Sequence, residues 1–334
     1  MLPSKKQVDN AGEILRQIPN DESALNVLSM WRGYYVYPLG LAFNLLKRYT
    51  DKVGNKAIYG QRLKRVNSIV HKLERMPETK LSRMQDIGGC RVILSDYEKL
   101  RKLYLSLCKS DSILSNHKDY ITYPKKDGYR GIHLIYQCNS KNSDYQNSKI
   151  ELQLRTKLQH AWATAVEIVD SFEGEQLKLG RGSDEWQRFF YLIADEFARL
   201  EKLPLHDNSI ENRLSELQNL SNHLNVIKKL EGYIIASDAS TNVHNESNKH
   251  IKNAKFFILE LDVNKSSTLI LGFINEQEAL DSYLKWEKEN IYNPEVNTLM
   301  VKMSSVKQLK ISYPNYFADS RLFIEKLKMV LATN

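Results

Sequence analysis

The sequence predicts an α+β protein with two domains, and three features of the residue pattern support this fold class. Residues 132–156 contain two runs of apolar–polar alternation, IHLIYQC and KIELQLRT, and this pattern is typical of a β-hairpin with one buried face. Segments with helical periodicity lie on both sides of the hairpin. Toward the end of the chain, a strand–strand–helix–strand–helix pattern of about 80 residues predicts a smaller α+β module.

Composition limits the functional class. The chain has 334 residues, of which 42% are hydrophobic and 26% charged, and these are ordinary values for a globular protein. Its net charge of +8 is compatible with polyanionic partners such as RNA or nucleotides. Three cysteines without a CxxC pair argue against a disulfide framework or a zinc finger. With no bilayer-length apolar run and no signal-peptide core, we expect a cytoplasmic protein without membrane contact.

Changes in periodicity predict four segments. They are residues 1–58, an N-terminal helical region; 59–203, the main domain; 204–236, a connecting helix; and 237–334, the C-terminal module. Asp21 is expected to cap a helix in the first segment. A leucine repeat from Ile210 to Ile234 predicts one long connecting helix, and the polar stretch Ala236–Asn253 after it predicts a hinge.

The most unusual stretch is Lys118–His133, which reads KDYITYPKKDGYRGIH. Pro124 and Gly128 interrupt it, so a shaped loop is expected. Its cations could bind phosphates, and its tyrosines could stack on a base. The alternative is a solvated basic turn between two strands.

The next strand presents a row of polar side chains. In KIELQLRT the apolar residues alternate with Glu151, Gln153 and Arg155, so a carboxylate, an amide and a guanidinium share one face. This face could form part of a site, although polar strand faces are often only hydrated.

Upstream, Gly60–Arg75 is predicted to be an amphipathic helix. Lys64, Ser68 and Lys72 follow one line along it, with Arg62 at the start, and such a row could follow a triphosphate. A solvated row of charges is the alternative.

Asp86 precedes a glycine pair and the predicted strand Cys90–Leu94. A carboxylate at a strand edge is a candidate Mg²⁺ ligand, but a turn-forming aspartate fits equally well. Lys99–Lys109 is expected to be helical.

Two later features have less certain roles. His160 lies on a predicted helix after the hairpin, where a structural role is expected. Tyr313–Phe317, reading YPNYF, predicts a rigid aromatic turn before the last helix. Packing is the default interpretation of that turn, and an inserted plug is the alternative.

Taken in order, RLKRVNSIVHK, DIGGCRV, the basic loop and IELQLRT closely resemble the RelA/SpoT-type nucleotide pyrophosphokinase domain over residues 55–200. The resemblance implies a mixed β-sheet flanked by helices. It also implies an enzyme that transfers the β,γ-pyrophosphate of ATP to a ribose 3′-hydroxyl, a reaction that requires charge neutralisation and positioning.

By motif match, the resemblance assigns a role to each motif residue. ATP phosphates would be held by Arg62, Lys64, Ser68, Lys72 and Arg91. Mg²⁺ would be bound by the catalytic carboxylates Asp86 and Glu151, and Glu151 would also help to activate the attacking hydroxyl. The acceptor and phosphate region would be lined by Lys125, Tyr129, His133, Gln153 and Arg155, with Tyr129 stacked on the acceptor base.

The sequence also departs from the usual pattern. GYxSxH reads GYRGIH here, with Gly131 in place of the serine, and the following helix LQHAWATAVEIVD differs from that of guanosine-using members. Both changes weaken the case for GTP or GDP as acceptor. The motifs of the associated hydrolase domain are absent from the sequence, where His206-Asp207 is an isolated pair.

A synthetase without its hydrolase, followed by a small module, resembles the fused toxin–antitoxin branch called CapRel. That resemblance implies a toxin that pyrophosphorylates the 3′-CCA end of tRNA and blocks translation in phage defence. The module would be a zinc-less finger-like antitoxin. Its Tyr313 and Tyr316 would block the nucleotide site until a phage protein, such as a capsid protein, binds. Two alternatives remain: a (p)ppGpp or (p)ppApp alarmone synthetase with a regulatory module, and a non-catalytic RNA-binding module.

Overall fold

The computed structural model describes residues 2–54, 56–206, 212–240, 253–290, 293, 295–303 and 305–332. The chain begins with three helices, α1 (Lys5–Gln17), α2 (Glu22–Tyr34) and α3 (Val36–Thr50). Helix α2 begins where the sequence predicts, because the Asp21 carboxylate accepts a hydrogen bond from the Ala24 backbone N–H at 2.8 Å. Leu39 and Leu46 of α3 are buried in the same core as the sheet strands, so these helices are part of the main domain's packing.

The main sheet has five strands. They are β1 (Ile58–Leu63), β2 (Gly88–Leu94), β3 (Lys118–Asp119), β4 (Ile132–Gln137) and β5 (Lys149–Thr156), in the order β1-β2-β5-β4-β3. Strands β2 and β5 run parallel, and the other neighbours are antiparallel. The predicted mixed sheet and the predicted β4–β5 hairpin are both confirmed.

Four helices accompany this sheet: α4 (Val66–Arg75), α5 (Tyr97–Leu107), α6 (Lys157–Phe172) and α7 (Asp184–Leu200). Helix α5 agrees with the expected helix to within two residues at each end. Helix α6 begins directly after β5 because Thr156 forms a capping box with Gln159. Trp186 and Phe190 of α7 are buried against α6, as its periodicity predicts.

The interpretation of Gly60–Arg75 as one helix is wrong. Residues Ile58–Leu63 pair with β2 along their whole length, and the helix begins only at Val66. The predicted apolar stripe is nevertheless buried; it comprises Leu63, Val66, Val70 and Leu73. Strand pairing outweighs helical periodicity here, because the segment completes one edge of the sheet and buries the same side chains from an extended backbone.

The connecting segment also differs from its prediction. In place of one long helix there are two, α8 (Arg213–His223) and α9 (Val226–Ser240). They are separated at Asn225, whose φ is 53°, and asparagine tolerates this left-handed conformation better than most residues. The polar stretch predicted as a hinge begins inside α9, and residues 241–252 lie outside the described part of the chain.

The C-terminal module contains an antiparallel sheet of β6 (Phe256–Asp262), β7 (Ser267–Phe273) and β8 (Val296–Lys302), ordered β7-β6-β8. Its helices are α10 (Glu276–Glu289), α11 (Val306–Ser312) and α12 (Arg321–Leu331). The sequence predicted all of these elements except α11. Phe323 and Leu327 of α12 pack with Phe189 of α7, so the last helix is part of the main domain's helical layer.

Across the described residues, no helix combines the length and the apolar content needed to cross a membrane.

Candidate active site

Asp86 lies between two lysines, just before β2. The Nζ atoms of Lys64 and Lys72 each lie 2.8 Å from one of its carboxylate oxygens. Lys64 follows β1, and Lys72 extends from α4, so the β1–α4 connection brings both ammonium groups to one carboxylate. Burial opposes ionisation of Asp86, but the two lysines lower its pKa below the ordinary value. The group is therefore a carboxylate at neutral pH.

Glu151 lies on β5 and is held by two neighbours on the same sheet face. His133 Nδ1 lies 3.0 Å from Glu151 Oε1, and Gln153 Nε2 donates to Oε2 at 2.6 Å. Burial would raise the pKa of Glu151, yet the hydrogen bonds with His133 and Gln153 and the nearby Lys64 charge hold it well below its usual range. Glu151 is therefore a carboxylate at neutral pH and is available as an anionic ligand.

A chain of polar contacts continues from Glu151 to Tyr129. The Tyr129 hydroxyl lies 2.6 Å from His133 Nε2, and it accepts a hydrogen bond from Arg155 Nη2 at 3.1 Å. Lys125 Nζ lies 4.7 Å from the centre of the Tyr129 ring. The ring is half-buried, so it lies at the margin of the core with two cations beside it.

Gly131 permits the close approach of this hydroxyl. Its φ is 155°, and a Cβ atom at this position would lie 3.1 Å from Tyr129 Oη. A serine here would have to displace Tyr129 or distort the backbone. The departure from the GYxSxH pattern therefore has a local structural reason.

The two carboxylates line one cavity. Asp86 and Glu151 share a volume of about 70 Å³ whose other lining residues include Arg62, Lys64, Arg91, Gln153 and Tyr313. The register places Gly89 of β2 opposite Glu151 of β5, and Asp86 lies three residues before that glycine. Arg62 forms no ion pair with any residue in the described ranges, so its charge is available within this cavity.

Tyr313 reaches this cavity from the C-terminal module. Its hydroxyl donates to the backbone carbonyl of Gln61 at 2.9 Å, and the Arg91 guanidinium lies 5.3 Å from its ring centre. Arg91 Nη2 also donates to the Ser312 carbonyl at 2.6 Å, and the Ser312 hydroxyl donates to the Tyr59 carbonyl at 2.7 Å. Ser312 and Tyr313 therefore contact both the edge of β1 and Arg91, a residue predicted to bind ATP.

Tyr316 lies elsewhere. It is buried, and it lines a separate cavity of about 580 Å³ together with Arg65 and Glu167. Its hydroxyl has no hydrogen-bond partner among the residues that the structure describes. Of the two tyrosines predicted to block the site, Tyr313 lines the cavity of Asp86 and Tyr316 lines the separate one.

Ser68 also lies apart from the other predicted ligands. It lines a cavity next to Glu287 and Asn297, at the junction with the C-terminal module. Its neighbour on α4, Lys72, contacts Asp86, so the helix presents these two side chains to different spaces.

Sequence reasoning gave His160 only a structural role, but it lies close to the site. It is buried, and neither ring nitrogen has a hydrogen-bond partner in the described part of the chain. Burial and the nearby charges of Arg91 and Arg155 hold its pKa well below the ordinary value, so the ring is neutral. His160 lies in the first turn of α6, and this position shortly after Arg155 was the available signal.

The donor set fits Mg²⁺. Asp86 and Glu151 supply anionic oxygens to one cavity, and hard divalent cations prefer such ligands. Among the described residues there is no group of three or more His, Cys, Asp or Glu side chains that could hold a metal. Two carboxylates suit Mg²⁺, which commonly takes its remaining ligands from water and substrate phosphates.

Comparison with known families agrees with this geometry. Residues 61–169 match the profile described as "Region found in RelA / SpoT proteins". The match extends from β1 into α6 and contains every predicted site residue except Tyr313 and Tyr316. Residues 61–169 are therefore similar to this region of RelA/SpoT proteins.

Two individual relatives are similar to about a third of the chain. Over 110 residues the chain is 30% identical to GTP pyrophosphokinase YjbM of Bacillus subtilis (strain 168), covering 31% of this chain and 51% of the relative. It is 31% identical to YwaC of the same organism, again over 110 residues, covering 31% and 52%. The chain thus spans about half the length of these relatives. The crystal structure of B. subtilis small alarmone synthetase 1 bound to pppGpp matches with a TM-score of 0.41, 22% identity, and coverage of 52% and 92%.

Proposed function

We propose that the chain is an ATP-dependent pyrophosphokinase that its own C-terminal module holds inactive. The observation that carries this proposal is the position of Tyr313 in the wall of the cavity that contains Asp86 and Glu151. That cavity measures about 70 Å³, whereas sites for small molecules and cofactors usually measure about 300–1,000 Å³. A nucleoside triphosphate therefore requires Tyr313 to leave.

The residue types suit transfer of a pyrophosphate group. Arg62, Lys64, Lys72 and Arg91 would neutralise the phosphates of ATP, and the two lysines would exchange Asp86 for phosphate oxygens. Mg²⁺ held by Asp86 and Glu151 would neutralise charge on the same phosphates. Glu151 is anionic and hydrogen-bonded to His133, so it would accept a hydrogen bond from the attacking ribose 3′-hydroxyl and help to activate it.

For the acceptor we favour the 3′-CCA end of tRNA, which would make the enzyme a translation-blocking toxin. Tyr123 is 77% exposed, and the same loop carries the exposed cations Lys125 and Lys126. Such a surface suits an RNA backbone, whose binding is largely electrostatic. Tyr129, with Lys125 and Arg155 beside its ring, would stack on the terminal base.

A second acceptor class is supported by the relatives' names. Both B. subtilis proteins are called GTP pyrophosphokinases, so a guanosine nucleotide, or an adenosine nucleotide in its place, is the alternative acceptor. The product would then be (p)ppGpp or (p)ppApp, and the C-terminal module would regulate its synthesis.

The module would act as antitoxin and sensor, with a phage protein as the trigger in the cytoplasm. Moving the active fraction from about 1% to 99% requires roughly 5.5 kcal/mol of differential binding to the released state. Withdrawal of Tyr313 breaks the Gln61 hydrogen bond and the Arg91 contact, and the trigger must compensate for both.

The test uses ATP labelled in its terminal phosphates, with the wild-type chain, Tyr313→Ala and Tyr313→Ala/Glu151→Gln. We expect Tyr313→Ala to label tRNA and the double variant to label nothing. Label only in GDP or another nucleotide would replace the tRNA proposal with the alarmone alternative. No transfer to any acceptor, with growth inhibition that persists after Glu151→Gln, would indicate a non-catalytic RNA-binding protein.

A further inference from the structure

Helix α4 lacks a capping side chain of its own. Its N-cap residue is Arg65, which makes no side-chain capping hydrogen bond, although the first N–H groups of any helix need acceptors. Glu287 of α10 supplies one from the C-terminal module, because its Oε1 accepts from the Val66 backbone N–H at 3.1 Å. A carboxylate at this end of a helix is also favoured by the helix dipole.

Arg32 links this cap to the preceding turn. Its side chain is fully buried, and it forms an ion pair with the second carboxylate oxygen of Glu287. Arg32 Nε donates to the Lys64 carbonyl at 2.8 Å, and Nη2 donates to the Tyr283 hydroxyl at 2.8 Å. One buried group from α2 thus ties the end of β1 to α10.

The turn that Arg32 and Glu287 hold in place, Lys64–Arg65, positions two lysines of the site. Lys64 lies in the turn, and Lys72 lies on the helix that the turn begins. Both ammonium groups are 2.8 Å from Asp86. A shift of the turn would therefore move both lysines relative to the carboxylates.

We infer that Glu287 is a positioning residue of the site, supplied by the module that also blocks it. It acts through Val66 and Arg32 on Lys64 and Lys72, and it contacts no reacting group. Two different parts of the module act on the site. Tyr313 occupies part of the cavity and inhibits binding, whereas α10 holds the Lys64–Arg65 turn in position. Activation then requires the 313–317 turn to leave while α10 stays docked. The consequence for ATP rests on the proposed function.

The neighbouring residue offers a matched control. Lys288 also forms an ion pair across this interface, with Glu22 at 2.8 Å, but these side chains are 47% and 77% exposed. Exposed pairs of this kind contribute little to stability. Lys288→Ala therefore removes a contact between the same two helices without affecting the cap.

The first test measures backbone hydrogen exchange in the full-length chain and needs no activity. Glu287→Ala should speed exchange several-fold at residues 66–69, the first turn of α4, while Lys288→Ala leaves it unchanged. Glu287→Gln keeps a hydrogen-bond acceptor without the charge, so its exchange rate at these residues should lie between those of the other two variants. If Glu287→Ala fails to fold, Glu287→Gln takes its place in the test. Unchanged exchange in both Glu287 variants, or faster exchange spread evenly over the chain, would overturn the assignment.

The second test measures binding of a non-hydrolysable ATP analogue in the Tyr313→Ala background. Glu287→Ala should raise the dissociation constant at least several-fold, and Lys288→Ala should leave it within twofold. If Tyr313→Ala itself binds no analogue, the proposed function fails, whereas the exchange result still decides the role of the cap. If Tyr313→Ala binds the analogue and the added Glu287→Ala substitution leaves the dissociation constant unchanged, Glu287 has no positioning role. The proposed function is then unaffected.

Discussion

The hydroxyl of Tyr313 donates a hydrogen bond to the backbone carbonyl of Gln61, 252 positions earlier in the chain, at 2.9 Å. This bond joins the C-terminal module to the edge strand of the main sheet. The ring above it lies against Arg91, which the motif assigns to ATP. Under the proposed function, Tyr313 and the nucleotide would therefore compete for one cation.

The hydrogen bond of the Tyr313 hydroxyl and the contact of its ring with Arg91 can be tested separately by substitution. Tyr313→Phe loses the Gln61 bond but keeps the ring against Arg91, so we expect partial activation in the transfer assay. Tyr313→Ala should activate fully. Gly60→Ala tests the contact from the other side, because its Cβ would lie 2.9 Å from Tyr313 Oη. Activity in Tyr313→Phe equal to that of Tyr313→Ala would assign the inhibition to the hydroxyl alone.

Glu151→Gln should abolish transfer in an activated background. The amide cannot accept the proton of an attacking hydroxyl, and loss of a general base typically costs about 10²–10⁴-fold in rate. The thermal midpoint should change little, because the amide oxygen can still accept from Gln153. A rate within tenfold of the parent would remove Glu151 from the chemistry.

Asp86→Asn should destabilise the protein in a pH-dependent manner. Burial opposes ionisation, but Lys64 and Lys72 hold the pKa of Asp86 below the unfolded value, so its contribution is present above that value and lost as pH falls through the folded one. Loss of these charge-assisted bonds should cost about 1–3 kcal/mol at pH 7. In denaturant melts, the difference in the free energy of unfolding between the two proteins should narrow as the pH falls below the ordinary carboxyl pKa. A difference in the free energy of unfolding that does not change with pH would contradict the stabilising pairing of Asp86 with Lys64 and Lys72.

Glu201 should have the opposite pH dependence. Burial raises its pKa to about 7, against opposing hydrogen bonds from Thr156 and Gln159. The folded chain therefore binds more protons than the unfolded chain between the ordinary carboxyl pKa and about pH 7, and stability falls as pH rises through that window. Glu201→Gln should raise the thermal midpoint at pH 8 and have much less effect at pH 5. Glu98→Gln, at a side chain that is 79% exposed, serves as the control.

Truncation after residue 240 should not reproduce Tyr313→Ala. It removes Glu287 and Tyr283, which leaves buried Arg32 without its counter-charge, and it strips Phe323 from the core beside Phe189. We expect a lower thermal midpoint and weaker transfer than in the point variant. A truncated chain as stable and as active as Tyr313→Ala would show that the module contributes only inhibition.

The sequence predicted the parts of the site that depend on local pattern. The alternation of KIELQLRT placed Glu151, Gln153 and Arg155 on one strand face, and the hairpin set His133 opposite Gln153. The prediction was wrong where two patterns compete. An apolar stripe at helical spacing led to a helix being predicted over residues that include the strand Ile58–Leu63. The break at Asn225 depends on one backbone conformation, which periodicity does not reveal.

Contacts between distant segments could not be predicted from pattern. Nothing in the spacing around Arg32 or Glu287 indicates that they meet, since the pairing is set by how the module docks. The turn at Tyr313 was recognised, but its partners, the Gln61 carbonyl and Arg91, follow only from the position of β1 at the sheet edge.

That edge has a further consequence. In the docked state the outward carbonyls of Tyr59 and Gln61 are satisfied by Ser312 and Tyr313. When the turn withdraws, β1 presents unpaired backbone groups to solvent, and a bare strand edge is a template for pairing with another chain. Under the proposed function, release of the 313–317 turn would therefore also expose a strand edge at which a second chain could pair.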